Sequence, residues 1–238
     1  MTWRGRGVLA VVPARGGSEG IPRKNLCRVA GKSLIAHAAA TVAALRWLDA
    51  AILSTDDAEI AREGSAHGLA VPFLRPAELA SDTATGVDAW RHAWRASEAH
   101  YGRRFDCSIL LQPTSPLRKP ADVERTIDTM LAGGHQAAAT VSRVPGHYVP
   151  QKLLRLENGI LGFLDPEGAR HSNRQSAPAC YTRNGLCYAA TREAVVDRGE
   201  IIERDCVAIV IDGFVVNIDE RIDLEIAEML AGSGAPQG

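Results

Sequence analysis

The 238-residue chain has no excess of either charge. Its 27 Lys and Arg stand against 28 Asp and Glu, a formal net charge of −1. That excludes the broad basic footprint of a nucleic-acid or membrane-surface binder. An anionic ligand must then be drawn by a local cluster of cations. Long apolar runs are missing too: Val8–Val12 is too short to cross a bilayer and stops at Pro13. Met1–Gly7 lacks a signal-peptide core, so a cytoplasmic protein is expected. The five cysteines are odd in number and none shows Cys-x-x-Cys spacing. Buried free thiols are expected, rather than a disulfide framework or a zinc knuckle. The seven histidines show no metal-ligand spacing, and there are no internal repeats. Lysine is scarce: Lys24, Lys32, Lys119 and Lys152 are the only four.

What is present begins with Val8–Val12, an apolar run feeding a turn that holds Gly16, Gly17 and Gly20. Arg15, Arg23 and Lys24 stand in or beside that turn, and apolar residues resume at helical spacing from Leu34. A strand, a glycine loop and a helix in that order can point backbone amides at an anion, and the cations add charge where a polyphosphate would sit. The spacing fits neither a P-loop nor Gly-x-Gly-x-x-Gly. A lysine at position 24 of an Arg-rich chain suggests a requirement for a compact point charge.

Ser33 is expected to cap a helix reaching about Leu48. Ala51–Leu53 reads as a strand ending in Ser54-Thr55-Asp56, followed by a helix from about Asp57 to Gly68. Val71–Leu74 reads as a short edge strand that tolerates Pro72. The polar segment Arg75–Thr83 ends in a helix cap, and Trp90 and Trp94 share one face of the next helix as core residues. Cys107–Leu111 is a buried strand running into Gln112-Pro113-Thr114-Ser115. A helix over 122–131, stopped by Gly133-Gly134, leads to a strand at Ala137–Val141. This rhythm predicts an α/β fold with a mostly parallel, Rossmann-like sheet. The loops after its strands should face one crevice. The pattern breaks after Arg143, where 152–156 and 159–164 flank the turn signal Asn158-Gly159. Strands at 186–190 and 207–211 and a helix at 219–230 close the fold. A single domain over 1–232 is expected, with 143–183 as a lid or dimerisation insertion and 233–238 as a disordered tail.

Five motifs in order resemble the acylneuraminate cytidylyltransferases (CMP-sialic acid synthetases), a nucleotidyltransferase family. The first is Pro13-Ala14-Arg15, Ser18-Glu19-Gly20 and Lys24-Asn25-Leu26. The second is Arg75–Thr83, and the third is Leu110–Arg118. The fourth is Arg174-Gln175 with Tyr181–Tyr188, and the fifth is Val216–Leu224. The resemblance implies transfer of CMP from CTP to an acidic sugar, with pyrophosphate leaving. Such a reaction rests on positioning and charge neutralisation. By the same resemblance Arg15 and Lys24 are the catalytic cations on the triphosphate. Ala14, Gly16, Gly17 and Ser18 form the loop around it, and Asn25 and Arg75 contact the cytosine. Gln112, Lys152, Arg174, Asn184 and Tyr188 face the acid substrate. Asp219 holds Mg²⁺, with Asn217 as a neutral oxygen ligand where the family has a carboxylate. Asp223 reads as a first-turn helix charge. The family also implies a homodimer, with no nucleic-acid or membrane partner.

Glu19, Gly86, Thr182 and Asn217 depart from the family pattern and bear on which acid is activated. The leading acceptor is a sialic-type nonulosonate. A small phosphonate, 3-deoxy-octulosonate, and a non-catalytic nucleotide-binding paralogue are the alternatives.

Overall fold

A computed structural model describes residues 3–18, 20–166, 168 and 179–232. Its centre is a six-stranded sheet in the order β10-β6-β9-β5-β1-β4. The strands are β1 (Val8–Pro13), β4 (Ala50–Ser54), β5 (Cys107–Leu110), β6 (Ala137–Arg143), β9 (Tyr181–Thr191) and β10 (Cys206–Val210). β1 pairs in parallel with β4 and β5, and β6 with β10. β9 runs antiparallel to both β5 and β6, so the sheet is mixed but mainly parallel.

Strand alternation explains the layers. Val8, Ala10 and Val12 of β1 pack with Ile35, Ile60, Val123 and Ile127 on one face. These come from α1 (Leu34–Ala44), α2 (Ala58–Ala66) and α4 (Pro120–Gly133). Leu9 and Val11 pack on the other face with Trp90 and Trp94 of α3 (Gly86–Tyr101). Both tryptophans are fully buried, as their spacing predicts, and the Trp90 indole donates to Ser108 Oγ at 2.8 Å. A third cluster seats α5 (Arg221–Gly232) against Ile21, Val29 and Leu34. Val29 belongs to a small antiparallel pair, β2 (Arg28–Val29) and β3 (Lys32–Ser33).

Several boundaries differ from expectation. Ser33 caps α1 as predicted, its hydroxyl accepting from Ala36 N at 3.0 Å. The helix nevertheless ends at Ala44, and Trp47 leaves it to stack on Trp3 at 4.4 Å and donate to Glu124. Val71–Leu74 is not a strand. Pairing stops at a single bridge where Leu53 N donates to Ala70 O, because Pro72 has no N–H to continue a ladder. The cap of α3 is Thr85 rather than Thr83: its hydroxyl accepts from Asp88 N at 3.1 Å and donates to the Asp88 carboxylate at 2.6 Å.

The Asn158-Gly159 hairpin is present as β7 (Leu154–Glu157) and β8 (Ile160–Phe163), with both turn residues at positive φ. Its excursion leaves and rejoins the sheet at one point, where Val144 N donates to Cys180 O at 2.9 Å. None of the helices among the described residues is long and apolar enough to cross a membrane. All five cysteines are free thiols. Burial pushes Cys107 up to about 11 and Cys187 up to about 12, so neither is a nucleophile near neutral pH.

Candidate active site

A cleft of about 630 Å³ opens at the carboxyl ends of β1, β4 and β5. Arg15, Ser18, Lys24, Asn25, Arg75, Gln112, Asn217 and Asp219 all line it. Four of the five sequence motifs therefore meet in one place. The longest reach in sequence is where Lys24 Nζ donates to Asp219 Oδ1 at 3.0 Å, across 195 positions. Gly20 permits it, since a Cβ there would lie 2.5 Å from the Asp219 carbonyl oxygen.

The glycine loop is held by carboxylates that its local sequence does not show. Gly16 N donates to Asp56 Oδ1 at 2.9 Å, so the amide expected to face an anion is already engaged. Gly17 is exposed beside it. Arg15 Nη1 donates to Asp82 Oδ1 at 2.7 Å and to Ser81 O at 3.2 Å. Arg23, in left-handed backbone, is clasped by Asp57 and Glu59 at the start of α2. Asn25 is buried, and its amide donates to Arg15 O at 3.0 Å, which fixes the loop from within. Four cations, Arg15, Arg23, Lys24 and Arg75, thus face five carboxylates, Asp56, Asp57, Glu59, Asp82 and Asp219.

Asp57 also caps α2, accepting from Glu59 N at 2.8 Å and Ile60 N at 3.0 Å. The Arg23 guanidinium, then the Ile60 amide, hold its carboxyl below the usual range. A depressed carboxylate stabilises the fold above its unfolded pKa, and that contribution fades as pH falls through the folded value. Asp57→Ala is therefore expected to lower stability by about 1 kcal/mol at pH 7. In thermal unfolding the gap from the unsubstituted protein should close as pH drops below about 4.

Arg75 is 7% exposed, with Nη2 donating to Ser54 O at 2.6 Å and Nε to Ser54 Oγ at 3.2 Å. Burial lowers its pKa, with Asp56 opposing and Arg15 reinforcing the shift. Ala14 is buried, its N–H donating to Ser54 O at 3.0 Å. At the other wall, Ile218 N donates to Thr114 O at 2.8 Å and ties the fifth motif to the third. Asp223 accepts from the Asp219 and Glu220 amides, the helix-start role its position suggested. Asn217 turns its amide nitrogen, not its oxygen, toward Asp219.

Of the remaining acid-substrate candidates, Lys152, Asn184 and Tyr188 do not line this cleft. Asn184 is buried, accepting from Thr140 Oγ1 at 2.6 Å and donating to Ser142 Oγ at 3.1 Å. This braces the register shift where β9 passes β6. Tyr188 packs in the core on the α3 face, and burial raises its pKa. Lys152 sits in a helical turn before the hairpin. Arg174 and Glu19 lie outside the described residues.

One residue with a clear part here had no sequence signal beyond its place in the third motif. Arg118 is buried, donating to Leu186 O and, at 2.5 Å, to Gln112 O. It fastens the Gln112 loop to β9.

The Cytidylyltransferase family is matched over residues 9–186. A CMP-N,N'-diacetyllegionaminic acid synthase of Legionella pneumophila is 30% identical over 234 residues, covering 94% of this chain and 95% of its own. The post-translational flagellin modification protein B of Campylobacter coli is 28% identical, covering 94% of each. Among solved structures, a CMP:2-keto-3-deoxy-manno-octonic acid synthetase complexed with CTP superposes with a TM-score of 0.70 at 18% identity. It covers 96% of this chain and all of its own.

Proposed function

The chain belongs to the cytidylyltransferase family, and from that premise we propose that it joins CMP from CTP to an acidic nonulosonate of the legionaminate, pseudaminate or sialate type. An acceptor hydroxyl oxygen bonds to the α-phosphorus, the bond to the bridging oxygen breaks, and pyrophosphate leaves. The observation that carries the reading is the meeting of Lys24 with Asp219 in the cleft that also holds Arg15 and Gln112. Lys24 and Arg15 take the roles of triphosphate cations, and Ser18 borders their site. Arg75 and Asn25 support the nucleotide side, and Gln112 meets the acceptor.

The charge count supports a divalent cation. Three cations, Arg15, Lys24 and Arg75, and two carboxylates, Asp82 and Asp219, line the cleft, so a triphosphate entering it needs further positive charge. Mg²⁺ is commonly held by one or two carboxylates together with substrate phosphates. Asp219 fits that pattern, being the exposed partner in its pair with Lys24. The described residues contain no group of three or more His, Cys, Asp or Glu placed to hold a metal, so substrate oxygens would complete the shell. When bound, the ion would neutralise charge developing on the leaving pyrophosphate.

A panel of acids tests the acceptor class. With CTP and Mg²⁺, pyrophosphate release should be greatest with a diacetylated nonulosonate. Release with 3-deoxy-octulosonate or a phosphonate, and none with nonulosonates, would replace this reading.

Residues 143–183 fit a dimerisation insertion. Leu154, Leu156, Leu161 and Phe163 share one face of the hairpin and are 52%, 67%, 64% and 43% exposed, an apolar surface suited to a second copy of the chain. Leu156→Asp with Leu161→Asp is expected to halve the particle mass toward the 25.5 kDa of one chain in size-exclusion light scattering. An unchanged mass would place the interface elsewhere.

A further inference from the structure

Two arginines stand where β9 opens against the carboxyl end of β6. The register there is Val141↔Arg183, Ser142↔Thr182 and Arg143↔Tyr181. Partners directly opposite share a face, so Arg143, Val141, Tyr181 and Arg183 lie on one side of the sheet. Further along, Ala139 pairs with Tyr188, and both pack on the α3 face. Val141 lies two positions from Ala139 and so shares that face. β9, however, advances five positions between Arg183 and Tyr188. Plain alternation over five positions would put these two side chains on opposite faces. The bulge in β9 brings Arg183 round to the Tyr188 face, as bulges beside active sites re-aim a side chain. Burial raises the Tyr188 pKa, and the Arg183 charge opposes that rise, which agrees with their shared face.

The same bulge adjoins the cleft. Its Gly185 keeps positive φ, and a Cβ there would lie 2.8 Å from Gln112 Oε1. Leu110, which lines the cleft, pairs with Tyr188. The α3 face of the sheet thus runs from the cleft at β5, over β9, to the two arginines beside β6. Both arginines are exposed, and neither guanidinium has a hydrogen bond or ion pair among the described residues. Glu203, whose carboxyl feels the Arg183 charge, accepts instead from the amides of Ile201 and Ile202, each at 2.8 Å. Each guanidinium carries five N–H donors open to the oxygen atoms of a ligand.

We propose that Arg183 and Arg143 determine acceptor specificity, donating to the acylamino carbonyls at the far end of the nonulosonate. The inference deepens the proposed function and rests on it. The reacting hydroxyl of such an acid sits beside its carboxylate, at one end of a nine-carbon chain. With that end at Gln112, the other runs across β9 toward β6. β5 and β6 are two strand spacings apart, about 10 Å, the reach of a six-membered ring with a three-carbon arm. Arg183 and Arg143 are diagonal neighbours, about 7–8 Å apart at the backbone. Two acylamino groups on one acid can therefore each meet one guanidinium. An octulosonate, one carbon shorter and with hydroxyls in place of acylamino groups, offers neither carbonyl.

The test compares N,N'-diacetyllegionaminic acid with N-acetylneuraminic acid, which carries one acyl group, in pyrophosphate release with CTP and Mg²⁺. Arg143→Met with Arg183→Met is expected to lower kcat/KM about 100-fold for the diacetylated acid and about tenfold for the monoacetylated one, a step of about tenfold for each carbonyl. KM for CTP and the melting temperature should stay unchanged, since both side chains are exposed and make no ion pair among the described residues. Equal losses for the two acids, or no loss with either, would overturn the assignment. Release with neither acid by the unsubstituted protein would instead overturn the proposed function.

Discussion

Lys24→Ala is expected to lower kcat/KM for CTP by about 10²–10³-fold, the cost of removing one charge aimed at the transition state. The Lys24 side chain is only 16% exposed, so its ammonium is held at one point of the cleft wall. Its present partner, Asp219, is 66% exposed, so its carboxylate is open to a ligand from the cleft. A triphosphate would then inherit the ammonium, while Asp219 passes to the cation. Lys24→Arg should recover little of the loss, because a planar guanidinium does not fit a space shaped for a compact charge. The fold should tolerate both changes, since a pair with an exposed member contributes about 1 kcal/mol or less. Steady-state kinetics with thermal unfolding checks this. A loss below about tenfold with an unchanged melting temperature would remove Lys24 from the chemistry.

Arg118→Met has the second-largest expected effect, and it falls on stability first. The guanidinium is buried with no hydrogen-bonded carboxylate among the described residues, and burial pushes its pKa down to about 10. Such a group persists because its own donors find the carbonyls of Gln112 and Leu186. Removing it takes the side-chain donor from Leu186 O and leaves Gln112 O with the Ser115 amide at 3.2 Å, at a cost of about 1–3 kcal/mol. The Gln112 loop would also lose its tie to β9. KM for the acceptor should therefore rise more than KM for CTP. Urea unfolding and separate KM measurements decide it, and a destabilised protein with both KM values unchanged would limit Arg118 to the core.

The opening loop was legible in the sequence because its glycines and cations are contiguous and follow an apolar strand. The fold class was legible because strand and helix patterns alternate over the first 140 residues. What holds the loop was not. Asp82 and Asp219 meet Arg15 and Lys24 from 67 and 195 positions away, and no local pattern encodes such pairings. The direction of β9 was hidden for another reason: a strand buried on both faces reads the same either way along a sheet. Asn184 and Tyr188 sit in a motif that matched a family, yet they brace β9 and the core instead of lining the cleft. Arg118 stood only as the last residue of the third motif, since its burial cannot be read from residue type.

The most direct measurement follows phosphorus by NMR in a mixture of the purified protein, CTP, Mg²⁺ and N,N'-diacetyllegionaminic acid. The account predicts that the three CTP resonances give way to one phosphodiester and to pyrophosphate in equal amounts, only when the acid is present. CTP that binds but stays intact with every acid offered would contradict it.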